Sequence, residues 1–90
     1  MPSDHLAASW ERTRGHLDRA WVQLLPSPEP PAYREFLDHN ELELAMETLA
    51  KAGSSQDAPA VFWEALADAA EEMHLDGPAS EFRQRASAST

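Results

Sequence analysis

The residues best suited to chemistry in this 90-residue chain are a few clustered acids and histidines. Glu71-Glu72-Met73-His74 contains Glu-x-x-His, a spacing that puts a carboxylate and an imidazole on one helical face. Carboxylate-bridged dimetal bundles use two such motifs plus two further Glu, all pointing inward. Only one copy occurs here, so it reads as an exposed polar helix end, where a charged His74 is favourable against the C-terminal dipole. Asp38-His39-Asn40-Glu41 is a second polar cluster, at a helix junction, and capping accounts for it more simply than acid–base or metal chemistry. His5 and His16 have no evident partner residues. The chain has no Gly-x-Ser-x-Gly and no Gly-rich phosphate loop. It has no Cys, which removes thiol catalysis, disulfides and Cys-based zinc sites together. The expectation is a protein that is not an enzyme and uses neither metal nor cofactor.

Charge is the stronger signal. Sixteen acidic against seven basic residues give a net charge of −9. Through residue 28, Asp4, Glu11 and Asp18 balance Arg12, Arg14 and Arg19, whereas residues 29–81 hold thirteen acids against only Arg34 and Lys51. Such a field disfavours nucleic acid, whose binding needs Lys and Arg to neutralise phosphates, and it attracts basic partners. Glu64, Asp68, Glu71 and Glu72 recur at helical spacing as one stripe. Glu43 and Glu47 form a second, with Asp38 and Glu41 nearby. Like charges four residues apart cost roughly 0.2–0.5 kcal/mol per pair in an isolated helix, and a surface arranged for stability alone would intersperse Lys. Asp38, Glu41, Glu43, Glu47, Glu64, Asp68 and Glu71 are therefore candidate partner-binding residues. Trp63 joins them as a candidate anchor, because it flanks Phe62, which already serves the apolar stripe, and its ring falls at the stripe's edge. Trp10 and Trp21 lie on an apolar stripe and are assigned to the core.

The elements that position these residues read as helices. Leu6, Trp10, Leu17, Trp21 and Leu24 predict a helix over 4–25, opened by Ser3 or Asp4 as N-cap and weakened at Gly15. Pro26-Ser27-Pro28-Glu29-Pro30-Pro31 is a stiff connector. A short helix over 32–39 carries Tyr33, Phe36 and Leu37, and His39-Asn40 breaks it. Leu42, Ala45, Met46 and Leu49 predict a helix over 41–52 that stops at Gly53. Asp57-Ala58-Pro59 signals the start of a helix that runs to Leu75 on Phe62, Ala65, Leu66, Ala69 and Met73. Gly77-Pro78 reads as its stop, followed by a short helix around Phe82 and a frayed end from Ala86. No segment has the β-branched alternation of a strand. The fold class is all-α, four to five helices in one domain over 1–86, with 87–90 as a disordered tail. No basic segment followed by an apolar run opens the chain, and no stretch approaches the ~20 apolar residues of a membrane helix. A cytoplasmic protein with no membrane contact is expected.

Over about residues 33–77 the sequence resembles the MafI-type immunity proteins. The resemblance rests on Tyr33 to Leu49 and Phe62 to Leu75. It includes the His39-Asn40-Glu41 junction, the Leu44-Ala45-Met46-Glu47 helix, and an ending Met73-His74-Leu75 with His where the pattern usually has Gly. It implies a small cytosolic helical protein that binds and neutralises a polymorphic toxin used in bacterial competition, nucleases with basic clefts among them. An acidic helical face would then compete for such a cleft as a phosphate mimic. On that expectation the chain is a monomer or weak dimer whose partner is a toxin with a basic surface. The alternative is a non-enzymatic adaptor or regulatory subunit of a larger bacterial complex. Reversing Glu64 and Asp68 to Lys together is expected to weaken binding and leave helicity intact.

Overall fold

The apolar spacings place five helices: α1 (Pro2–Val22), α2 (Tyr33–Asp38), α3 (Leu42–Ser55), α4 (Ala60–Glu72) and α5 (Asp76–Ala88). The computed structural model describes residues 2–24 and 28–88, with no strand among them. The beginning of the Pro-rich connector and the last two residues of the predicted tail lie outside the described residues, as do the side chains of Ser3, Asp4 and Leu6. Among the described residues no helix is long and apolar enough to cross a membrane.

α4 is the central element. Phe62, Trp63, Ala65, Leu66, Ala67, Ala69 and Ala70 are all buried on it, which leaves only a narrow exposed strip. Its alanines let neighbouring helices approach closely, and α1 and α5 pack along it while α3 crosses it more lightly. α1 contributes Leu17 and Ala20, and Leu24 in the turn beyond it is buried as well. α2 and α3 form a hairpin that closes the bundle with Tyr33, Leu37, Leu42, Ala45, Met46 and Leu49. α5 adds Ala79, Phe82 and Ala86 at helical spacing.

Three helix ends share one device. Asn40, Asp57 and His74 adopt left-handed φ of 56°, 51° and 62° just past α2, α3 and α4. The next residue then donates its N–H back into the last turn: Glu41 to Phe36 O at 2.8 Å, Ala58 to Gly53 O at 3.0 Å, Leu75 to Ala70 O at 2.8 Å. This is the Schellman closure, in which a left-handed residue turns the chain so that orphan carbonyls are satisfied. Glycine usually fills that position, and here Asn, Asp and His do.

Several expectations are corrected by these ends. Gly53 does not stop α3 but lies buried inside its last turn. A Cβ there would collide with the Phe62 ring, so its role is close approach of α3 to α4. Asp57 terminates α3 rather than capping α4, whose N-cap is Pro59. α4 ends at Glu72, before the expected Leu75, and Gly77-Pro78 is not its stop but part of the first turn of α5, where proline's missing N–H costs nothing. The short helix around Phe82 is thirteen residues long, and Ala86 is a buried core residue rather than the start of a frayed end. Trp10, expected in the core, is 38% exposed.

Candidate functional site

Three of the four acids of α4 are held by arginines that come from both flanking helices. Arg12 on α1 grips Glu72 through two parallel hydrogen bonds of 2.9 Å, and the Ser9 hydroxyl donates to the same carboxylate at 2.8 Å. These donors hold the Glu72 carboxyl down at about 2, against an ordinary 4.5. Asp68 accepts from Arg19 of α1 at 3.1 Å and from Arg83 of α5 at 2.9 Å. Partial burial pushes the Asp68 carboxyl up, but the two arginine hydrogen bonds outweigh it and keep it below the usual range. Arg83 also pairs with Glu71 at 3.0 Å. The stripe predicted to face a partner is thus in large part a seam between α1, α4 and α5. Glu64 alone of that stripe has no ion-pair partner among the described residues; it is exposed, beside a shallow depression that Arg83, Ala86 and Ser87 also line.

Trp63, expected at the edge of the apolar stripe, is buried in the core. It is 3% exposed, wedged edge-on to Phe62 at 4.8 Å and tilted against Phe82 at 5.8 Å. The Arg85 guanidinium lies over the ring, 4.8 Å from its centre. The difference from the sequence expectation comes from α5, whose Phe82 and Arg85 cover this ring.

Asp38, Glu41, Glu43 and Glu47 behave differently. All four are exposed, and none has an ion-pair partner among the described residues. Asp38 ends α2, Glu41 is the N-cap of α3, and Glu43 and Glu47 lie one helical turn apart on α3. Arg14 of α1 fixes this junction, donating to the Leu37 carbonyl and, at 2.7 Å, to the Asn40 side chain. A cation on the last carbonyls of a helix is favourable, so Arg14 is spent on the backbone and leaves the surrounding carboxylates uncompensated. Four residues before Arg14, on the same face of α1, Trp10 borders a groove of about 260 Å³ together with Asn40, Glu41, Glu43, Leu44 and Met73. Leu44 is 42% exposed. Sequence reasoning missed both apolar residues: Trp10 keeps the α1 period expected of a core residue, and Leu44, between Glu43 and Ala45, lies off the apolar stripe of Leu42, Ala45, Met46 and Leu49.

The Glu71-x-x-His74 motif does not assemble. Glu71 is paired with Arg83, while His74 is exposed in the left-handed turn past α4. Among the described residues no three His, Asp or Glu side chains come together where a metal ion could be held. Comparison with protein-family models, with curated proteins and with solved structures finds no match to this chain.

Proposed function

We propose that this chain is a protein-binding domain that neutralises a cognate bacterial toxin, and that it meets a basic surface of that toxin with the shoulder formed by Asp38, Glu41, Glu43 and Glu47. The observation that carries this reading is the unequal distribution of counter-charge. Arg12, Arg19 and Arg83 all pair with α4, and no acid of the shoulder has a basic partner among the described residues. Exposed like charges speed the encounter with a partner of opposite sign and discriminate against others. The resemblance to MafI-type immunity proteins supplies the toxin. One of its departures has a physical meaning here: His74, where the pattern usually has Gly, has φ of 62°, the conformation glycine favours.

Asp68 is withdrawn from the contact surface, since reversing it would break the seam between α1, α4 and α5. The test uses Glu41→Lys with Glu43→Lys instead. Tagged wild-type protein is used to capture partners from its native cell at low and moderately high salt, with mass spectrometry as the readout. A single toxin-domain protein held at low salt, released at higher salt and lost in the double variant is the expected result. Capture of a multi-subunit assembly without a toxin would overturn the toxin reading in favour of the adaptor. A toxin held equally well by the double variant would remove the shoulder from the mechanism.

A further inference from the structure

From the groove between α1 and α3 we infer that the partner seats one apolar side chain, flanked by Lys or Arg, between Trp10 and Leu44, with Glu41 and Glu43 taking the flanking cations. The inference rests on the proposed binding role of the shoulder and adds to it the chemistry of the bound segment.

Three observations carry it. Trp10 and Leu44 belong to different helices, are 38% and 42% exposed, and border the same depression, with half-buried Met73 also lining it. Isolated exposed apolar residues are ordinary, but a Trp, a Leu and a Met lining one concavity form a pocket-like patch. At about 260 Å³ the space suits one side chain rather than a whole helix. The charged residues that line it are both acidic: Glu41 and Glu43 are exposed without a cationic partner among the described residues, while Arg14, four residues past Trp10 on α1, is committed to Leu37 and Asn40 and Arg12 to Glu72. Charge complementarity therefore selects a basic segment and disfavours an acidic or a uniformly apolar one. Trp at the centre of a small apolar patch with a polar rim is the usual composition of a binding hot spot. Met adapts to whichever side chain enters.

The test uses two short peptides of alternating Lys and Arg, one with a central Leu and one with Gly in its place, added to the isotope-labelled full chain. The Trp10 indole N–H and the amides from Glu41 to Leu44 should shift together and saturably. Replacing the central Leu with Gly should weaken binding about tenfold, the share expected of one buried aliphatic side chain. Trp10→Ala and Leu44→Ala should each weaken the Leu peptide and leave the helical circular dichroism unchanged. Val61→Ala, a change at another exposed apolar residue, should leave binding as it was. Equal affinity for the two peptides, shifts confined to other surfaces, or no saturable shift overturns the groove. The two readings fail separately. A captured toxin that ignores Trp10→Ala but needs Glu41 and Glu43 removes the groove alone, and a peptide-filled groove in a protein that captures no toxin removes the toxin alone.

Discussion

Glu43 and Glu47 on α3 and Glu64, Asp68, Glu71 and Glu72 on α4 look alike in sequence: carboxylates repeating at one helical turn with scarcely a lysine among them. In the fold they part company. On α4 three of the four meet arginines brought from α1 and α5, and those pairs fasten the outer helices to the central one. On α3 neither meets a base among the described residues. Equal spacing therefore says nothing about equal role. What separates the two stripes is which surface the rest of the chain packs beside them.

The comparison can be broken from the inside outward. Both stripes stand on one core, so Leu66→Ala, at a site with 0% exposure, should cost about 2–5 kcal/mol and disable both. Urea denaturation measures this, and a loss below 1 kcal/mol would mean that the helices do not share the core described. Gly53→Ala comes next. Its Cβ has to displace the Phe62 ring, so about 1–3 kcal/mol should be lost even though alanine is the better helix former. If that variant melts above wild type, the close approach of α3 to α4 is wrong.

Smaller effects distinguish the stripes themselves. Asp68→Lys should lower the melting temperature by several degrees, because it sets three cations against one another where α1, α4 and α5 meet. Glu43→Lys should leave the melting temperature within a degree or two, since relief of repulsion between helical neighbours, worth roughly 0.2–0.5 kcal/mol, is offset by the loss of an acid from the first turn of α3. Equal losses in the two variants would erase the contrast. The smallest effect concerns pH. The folded-state pKa of Glu72, about 2, lies below its ordinary 4.5, so its contribution is complete above about 4.5 and is lost as pH falls towards 2. Solvent reaches Arg12, so the total is modest. Glu72→Gln should flatten the acid limb of the melting curve in that window and leave its alkaline side unchanged.

Much of the scaffold was legible in the sequence because α1, α3 and α4 each bury a stripe at helical period, and the period survives any context. The misreadings cluster at glycine, proline and tryptophan. Gly53 and Gly77-Pro78 look like stops, but the first is space for Phe62 and the second begins a helix; local sequence cannot tell an end from a beginning without the neighbouring element. Trp63 looked peripheral because the thirteen-residue α5 that covers it has only Phe82 as a large apolar residue. Of the candidate site, the exposed acids at the α2–α3 junction were visible, as were their types and spacing. The engagement of Asp68 was not, because its partners Arg19 and Arg83 lie 49 and 15 residues away along the chain.

Tyr33 is the only tyrosine in the chain; its ring is fully buried, tilted against Trp21 at 6.3 Å, and its hydroxyl has no hydrogen-bond partner among the described residues. Burial first, and then the nearby Asp18 carboxylate, push its ionisation above the ordinary value of 10. The folded form favours the neutral phenol, so this stabilisation is full below pH 10 and declines as pH rises further. One chromophore thus gives a built-in optical clock. Above pH 10 the ultraviolet signal of tyrosinate arises mainly from molecules whose core has opened, so after a jump to alkaline pH its growth times that opening without any added label.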